Sequence, residues 1–244
     1  MSHHSPQGLT VSTPPIVVIG ASSGFGAALA QDLAADGIPV LAGARTPVDL
    51  GKEVDYHRID VTSDESVAEF FARVQTGYPA PYGLVYCPSD ASAVGYGWEV
   101  PVNEVERVLD VSFLGFVRCI RQVIPAMVRS GRGSIVAIGS RGARVPVDML
   151  AAYCAAKAAL EQHVRCLAEE LADSGVRVNA LGIAAETPLA REHLRRKEEA
   201  LGKDAHYPPL PDVRDNLPSA RFLLSPESRH VSGQVLDARP PAWT

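Results

Sequence analysis

The chain has 244 residues, 46% of them hydrophobic, and a formal net charge of -5, enough apolar material for one domain, or two small ones, with a buried core. An acidic balance without any Lys/Arg run excludes nucleic acid as an electrostatic partner, because phosphate binding needs a basic face. No uninterrupted apolar stretch approaches the ~20 residues that span a bilayer, no apolar signal core opens the chain, and Cys87, Cys119, Cys154 and Cys166 have neither disulfide nor metal-ligand spacing. A cytoplasmic protein with no membrane partner and no metal is expected.

Residues 1 to about 15, rich in Ser, His and Pro, are expected to form a flexible leader, in which His3 and His4 lack the further ligands a metal needs. One domain over 16–244 follows. Buried strands are predicted at Ile16–Ile19, Val40–Ala42, Leu84–Tyr86, Ser134–Ile138, Val176–Ala180 and Gln234–Leu236, with a further short strand at Tyr56–Ile59. Helical spacing lies between most of them, at Gly26–Asp36, Ser66–Gln75, Val102–Ser130 and Leu150–Asp173. Strand and helix in alternation give an α/β doubly wound Rossmann fold, a parallel sheet with helices on both faces. The two longest helices carry apolar residues on more than one face, which suits burial of a second face against another subunit. Residues 185–218 combine a charged helical piece, Arg191–Ala200, with the breaker-rich His206-Tyr207-Pro208-Pro209-Leu210-Pro211, and read as a substrate lid.

The first strand runs into Gly20-Ala21-Ser22-Ser23-Gly24-Phe25-Gly26 and then a helix. Gly20 suits a tight turn, Gly24 a close backbone approach to a pyrophosphate, and Gly26 close helix packing, with the helix N-terminus facing the phosphates. The second strand ends at Arg45, where a site selective for NAD places a carboxylate. Arginine there pairs with a 2′-phosphate, aided by Ser22 or Ser23, so NADP(H) is the expected cofactor. Asp60 either accepts from the adenine amino group or caps the helix that begins near Ser63.

Tyr153 and Lys157 stand four residues apart, on one helix face in successive turns. A phenol titrates near ~10, so a neighbouring ammonium that favours the phenolate makes it a usable base. Ser140, at the end of a buried strand, is placed to hold a substrate carbonyl oxygen against Tyr153.

With these motifs the sequence, from about Ile16 to Asp237, strongly resembles the classical short-chain dehydrogenase/reductase family. The matching pieces are the Gly20–Gly26 turn, Asp60-Val61-Thr62, Ser140, Tyr153-Cys154-Ala155-Ala156-Lys157, Val176-Arg177-Val178-Asn179-Ala180 and Val231-Ser232-Gly233-Gln234-Val235-Leu236-Asp237. The resemblance implies a Rossmann sheet of about seven strands, a homodimer or homotetramer built on the two long helices, Tyr153 as acid/base, Lys157 on the nicotinamide ribose, and Ser140 orienting the carbonyl. It also implies cofactor contacts at Phe25, Val61, Cys87, Ala185 and Thr187.

Four departures stand against it. The family's Asn-Asn-Ala-Gly is Tyr86-Cys87-Pro88-Ser89, and its catalytic asparagine, which supports a proton relay to the lysine, is Ser112. Its Pro-Gly pair is Ile183-Ala184, and its Asp-Gly-Gly is Asp237-Ala238-Arg239-Pro240, followed by a short tail able to reach the pocket or a neighbouring subunit. The expected activity is reduction of a carbonyl or oxidation of an alcohol. The apolar residues Tyr96, Trp98, Val145, Val147, Met149 and Leu150 predict a pocket for a hydrophobic, aromatic or polyketide-like ketone. Two alternatives are a cofactor-binding protein without redox turnover, and a dehydratase or isomerase on the same scaffold.

Overall fold

A computed structural model describes residues 13–204 and 209–238. The leader with His3 and His4, the His206-Tyr207-Pro208 part of the lid, and the tail from Arg239 lie outside the described residues.

Seven strands form one parallel sheet: β1 (Ile16–Ile19), β2 (Val40–Ala44), β3 (Val54–Arg58), β4 (Gly83–Tyr86), β5 (Gly133–Gly139), β6 (Val176–Ile183) and β7 (Val235–Ala238). Their order is β3-β2-β1-β4-β5-β6-β7, so the winding reverses beside β1 and opens a crevice at the carboxyl ends of β1 and β4. Alternation along β1 sends Val17 and Ile19 to one face and Ile16 and Val18 to the other, and both faces are covered. Helices α2 (Asp64–Gly77), α4 (Gly115–Ser130) and α5 (Ala151–Glu170) bury Phe70, Phe116, Ile120 and Leu160 on the first face. Helices α1 (Gly24–Ala35) and α7 (Leu217–Leu224) bury Leu29, Leu33, Leu217 and Leu223 on the second. Burial on both sides is why the strands read as unbroken apolar runs.

The expected helix over Val102–Ser130 is interrupted. It consists of α3 (Val102–Leu109), a π-helical turn at Asp110–Leu114, and α4. By length and composition alone this run could cross a bilayer, but Phe116, Cys119, Ile120, Val123 and Met127 are buried against the sheet. Helix α6 (Pro188–Leu201) falls in the segment expected as a lid, and a short 3-10 turn at Val213–Asn216 leads back into the core. There Asn216 Nδ2 donates to the Ala184 carbonyl at 3.1 Å.

Candidate active site

The catalytic and cofactor-contact residues expected from the sequence, except Asp60 and Ser112, line one cavity of about 1100 Å³ at the crevice. Its phosphate end is made by backbone. Gly20 (φ 84°) and Gly24 (φ 56°) hold left-handed conformations that favour glycine. A Cβ on Gly26 would lie 2.4 Å from the Gly20 carbonyl oxygen, so only glycine lets α1 start this close to the turn. Ser23 is the N-cap of α1 yet its hydroxyl makes no capping bond, and the first turn carries no acidic residue. The unpaired N–H groups and positive end of α1 therefore face the cavity, which fits a pyrophosphate.

Arg45 is exposed at the end of β2 and lines the cavity mouth. The Tyr56 hydroxyl lies 2.6 Å from the Thr46 carbonyl oxygen and 2.9 Å from that of Ala44, bracing the turn that carries it. Asp60 does not cap α2, the alternative the sequence offered beside an adenine contact. Its Oδ1 accepts from the Thr62 N–H at 3.0 Å and the Thr62 hydroxyl at 2.7 Å, while Ser63 caps α2. Partial burial pushes the Asp60 carboxyl up, but the Thr62 bonds and the charges of Arg45 and Arg58 outweigh it and hold it below its ordinary value.

At the other end stand Ser140, Tyr153 and Lys157. Ser140 follows β5, and its Oγ accepts from the Gly142 N–H at 3.1 Å, leaving its own proton to donate. Lys157 is buried one turn beyond Tyr153; its Nζ donates to the Ile138 carbonyl at 2.7 Å and sits 5.8 Å from the Tyr153 ring centroid. Burial pulls the ammonium down to about 8, so it is still mostly charged at neutral pH. The Tyr153 phenol goes the other way from the sequence expectation: burial raises it, and the opposing pull of the Ser140 hydroxyl is smaller. With Nζ turned to a carbonyl in this geometry, the phenol keeps its proton and is a donor. Burial also pushes the Cys87 thiol up to about 12, making it a neutral wall.

Ser112 lies one layer behind this wall and is fully buried. Its hydroxyl is 3.0 Å from that of Ser89, with either able to donate. The Tyr86 hydroxyl donates to the Val111 carbonyl at 2.5 Å, inside the π-helical turn, where backbone carbonyls lack their regular partners. A Cβ on Gly115 would come 2.3 Å from that hydroxyl. Two of the departures from the family pattern thus pack on each other: Tyr86 and Ser89 fill and bond the space around Ser112. A third residue of the same segment, Pro88, packs 3.0 Å from where a Gly20 Cβ would be, tying it to the phosphate turn.

Several contributors gave no sequence signal. Glu161, one turn past Lys157, is buried; its Oε1 accepts from the Ser140 N–H at 3.4 Å, and Arg144 Nε is 3.5 Å from its Oε2. Arg144 also donates to Asp237 at 2.7 Å, tying the Ser140 loop to β7. His193 of α6 covers Tyr153, ring centroids 4.8 Å apart at 74°. Of the predicted apolar walls, Val145, Val147 and Leu150 line the cavity, and Leu189 and Leu194 of the lid join them. Tyr96, Trp98 and Met149 do not. Trp98 is 80% exposed and stacks on Tyr96, while Met149 is buried beneath the loop, with its carbonyl accepting from the Gly95 N–H. Among the described residues no His, Cys, Asp and Glu cluster could hold a metal.

The family model for short chain dehydrogenase matches residues 15–198. The chain belongs to this family. Its members bind a nicotinamide cofactor and act as oxidoreductases. L-xylulose reductase of Caenorhabditis elegans is 30% identical over 234 residues, covering 91% of this chain and 92% of that one. An NADPH complex of actinorhodin polyketide ketoreductase superposes with a TM-score of 0.81 at 26% identity, covering 94% of this chain and 97% of that one. A Brucella melitensis 3-ketoacyl-(acyl-carrier-protein) reductase, complexed with NADH, gives 0.82 at 25% identity, covering 92% and 96%. Short-chain dehydrogenases of both cofactor types thus share this backbone.

Proposed function

We propose that the chain is an NADP(H)-dependent carbonyl reductase, running as an alcohol dehydrogenase in reverse, that acts on a hydrophobic ketone in the cytoplasm as a homodimer or homotetramer. The observation that carries this reading is the placement of Ser140, Tyr153 and the buried Lys157 together at the apolar end of the cavity. A bound nicotinamide supplies the hydride. Ser140 donates to the carbonyl oxygen and fixes its distance from the phenol. Tyr153 then gives its proton to that oxygen as negative charge builds there, and Ser140 and the Lys157 charge stabilise the phenolate left behind.

Arg45 supports the phosphorylated cofactor, since a guanidinium pairs a 2′-phosphate in a fixed fork. Val145, Val147, Leu150, Leu189 and Leu194 support an apolar substrate, in keeping with the likeness to a polyketide ketoreductase. Exposed Leu114 and Val128, with the exposed small residues Ala155 and Ala158 of α5, support a second copy packed on α4 and α5. The free cysteines fit a reducing compartment.

Tyr153→Phe is expected to lower NADPH-dependent ketone reduction by about 10²–10⁴-fold while NADPH binding, followed by fluorescence, is kept; retained turnover would overturn the assignment. Arg45→Ala is expected to weaken NADPH roughly 10-fold or more without weakening NADH. Equal loss for both would remove the cofactor preference.

A further inference from the structure

Tyr153, Lys157 and Glu161 follow one another at four-residue steps along α5, on one face of the helix. The first two line the cavity, and the third lies behind it, fully buried. Lys157 is buried as well. Its ammonium donates to the neutral Ile138 carbonyl, with no carboxylate in ion-pair contact among the described residues. A buried charge left without a counter-charge is costly. The carboxylate whose field reaches Lys157 is that of Glu161.

Glu161 is built into the floor of the site. A Cβ on Gly139 would lie 2.7 Å from its Oε1, which accepts from the Ser140 N–H. Its Oε2 makes no hydrogen bond among the described residues, and Arg144 Nε stands 3.5 Å away. That guanidinium is shared, because Arg144 also pairs with Asp237 at 2.7 Å. Two carboxylates thus face one cation, and the cluster keeps a net negative charge behind Lys157. Arg165, the other cation near Glu161, is exposed. Around Lys157 itself, Cys87, Tyr153 and His193 are all uncharged near neutral pH.

Packing does not require the Glu161 charge. A glutamine would fill the same space and accept from the same N–H, and Arg144 would still bond Asp237. We infer that Glu161 is a positioning residue that acts through two neighbours: it holds the Ser140 main chain in place and, by its negative charge, keeps Lys157 an ammonium. The inference rests on the carbonyl-reductase reading and adds to it a carboxylate behind the site. A negative charge there favours the protonated forms of both Lys157 and Tyr153, so its removal lets both lose their protons at lower pH.

Two substitutions separate position from charge. Glu161→Gln keeps the acceptor and removes the charge, whereas Glu161→Asp keeps the charge and, one carbon shorter, draws it away from Ser140. With acetophenone and NADPH, the alkaline fall in kcat is expected about half a pH unit or more lower in Glu161→Gln than in the unmodified protein. In Glu161→Asp the fall should stay in place, while kcat at neutral pH drops about tenfold or more and NADPH affinity is kept. Carbon-13 NMR of lysine-labelled protein with NADPH bound, its Lys157 signal assigned by Lys157→Ala, reads the same shift without turnover. An alkaline limb and a Lys157 midpoint unmoved in Glu161→Gln overturn the inference, as does an unchanged kcat in Glu161→Asp. If melting shows that Glu161→Gln does not fold, Glu161→Asp decides alone: a lowered kcat with the limb in place supports the inference, and any other result overturns it. If no ketone is reduced by the unmodified protein, the reductase reading fails, and the Lys157 midpoint decides whether Glu161 holds its charge.

Discussion

The floor and the lid of this cavity are built by different means. The floor is main chain and buried side chains at the strand ends: two left-handed glycines, a glycine packed on a carbonyl, and a lysine locked to Ile138. The lid is one helix, α6, capped by Thr187 accepting from the Ala190 N–H at 3.1 Å and pinned by His193, Arg196 and Lys197. Its outer face holds exposed pairs such as Arg195 with Glu192 and Glu199, which contribute little. The floor is therefore fixed by packing, which pH does not reach near neutrality, whereas the lid is fixed partly by a neutral histidine. Protonation separates the two.

The largest expected effect follows from that. The His193 imidazole is held at about 4 by burial, against about 6.5 in an open chain, so the open lid binds protons that the closed lid refuses. Closure is at full strength above about 6.5 and is lost as pH falls toward 4, by on the order of 3 kcal/mol. The groups facing the ring do not reverse this. Tyr153, raised by burial, and Lys157, at about 8, titrate above the window, and burial pushes the Asp90 carboxyl up but the hydrogen bonds from Ser92 and from Arg107, 2.9 Å away, outweigh it and hold it below its ordinary value. The Lys157 shift belongs to another window, from about 8 upward, where loss of its proton relieves a buried charge and stability rises. Hydrogen exchange at pH 6.5 and 4.5, corrected for intrinsic rates, should show α6 losing protection while β5 and α5 keep theirs. Uniform loss would erase the distinction.

A smaller effect probes the floor. Gly115→Ala puts a methyl 2.3 Å from the Tyr86 hydroxyl and 2.9 Å from Val61, and is expected to cost about 1–3 kcal/mol in thermal unfolding. Part of that should return in the Tyr86→Phe background, which removes the clashing oxygen. If the two costs simply add, the hydroxyl is not what makes position 115 a glycine. The smallest effect is the Ser89–Ser112 pair: a double-alanine cycle should give a coupling of about 0.5–1.5 kcal/mol. A coupling of zero would leave Ser112 a passive filler.

How much of this could be read from the chain follows the same division. β1 falls at Ile16–Ile19 as predicted, because a strand covered on both faces must be apolar throughout, and the Gly20–Gly26 turn is written in glycines that no other residue can replace. Ser140, Tyr153 and Lys157 converge because a strand end and a helical four-residue step fix them. The π-helical turn at Asp110–Leu114 was not legible, since the apolar stripe of Val102–Ser130 runs on through it and its contact with the Tyr86 hydroxyl comes from 25 residues away. Neither was His193, a lone histidine among charges, whose burial depends on where the lid lands. Tyr96 and Trp98 misled for a related reason: aromatic character says nothing about which way a loop turns, and here it turns outward.

The Tyr86 contact with Val111 and the Ser89 contact with Ser112 carry a consequence for how this sequence can vary. Asparagine at 112 would need the room that the Ser89 hydroxyl fills, and the alanine or glycine usual in the family's segment would leave the Ser112 hydroxyl without its mate. Changes at positions 86, 89, 112 and 115 are thus expected to depend on one another. Single steps back toward the family pattern pass through a worse protein, which ranks relatives sharing that quartet above those sharing only overall identity as guides to what this chain does.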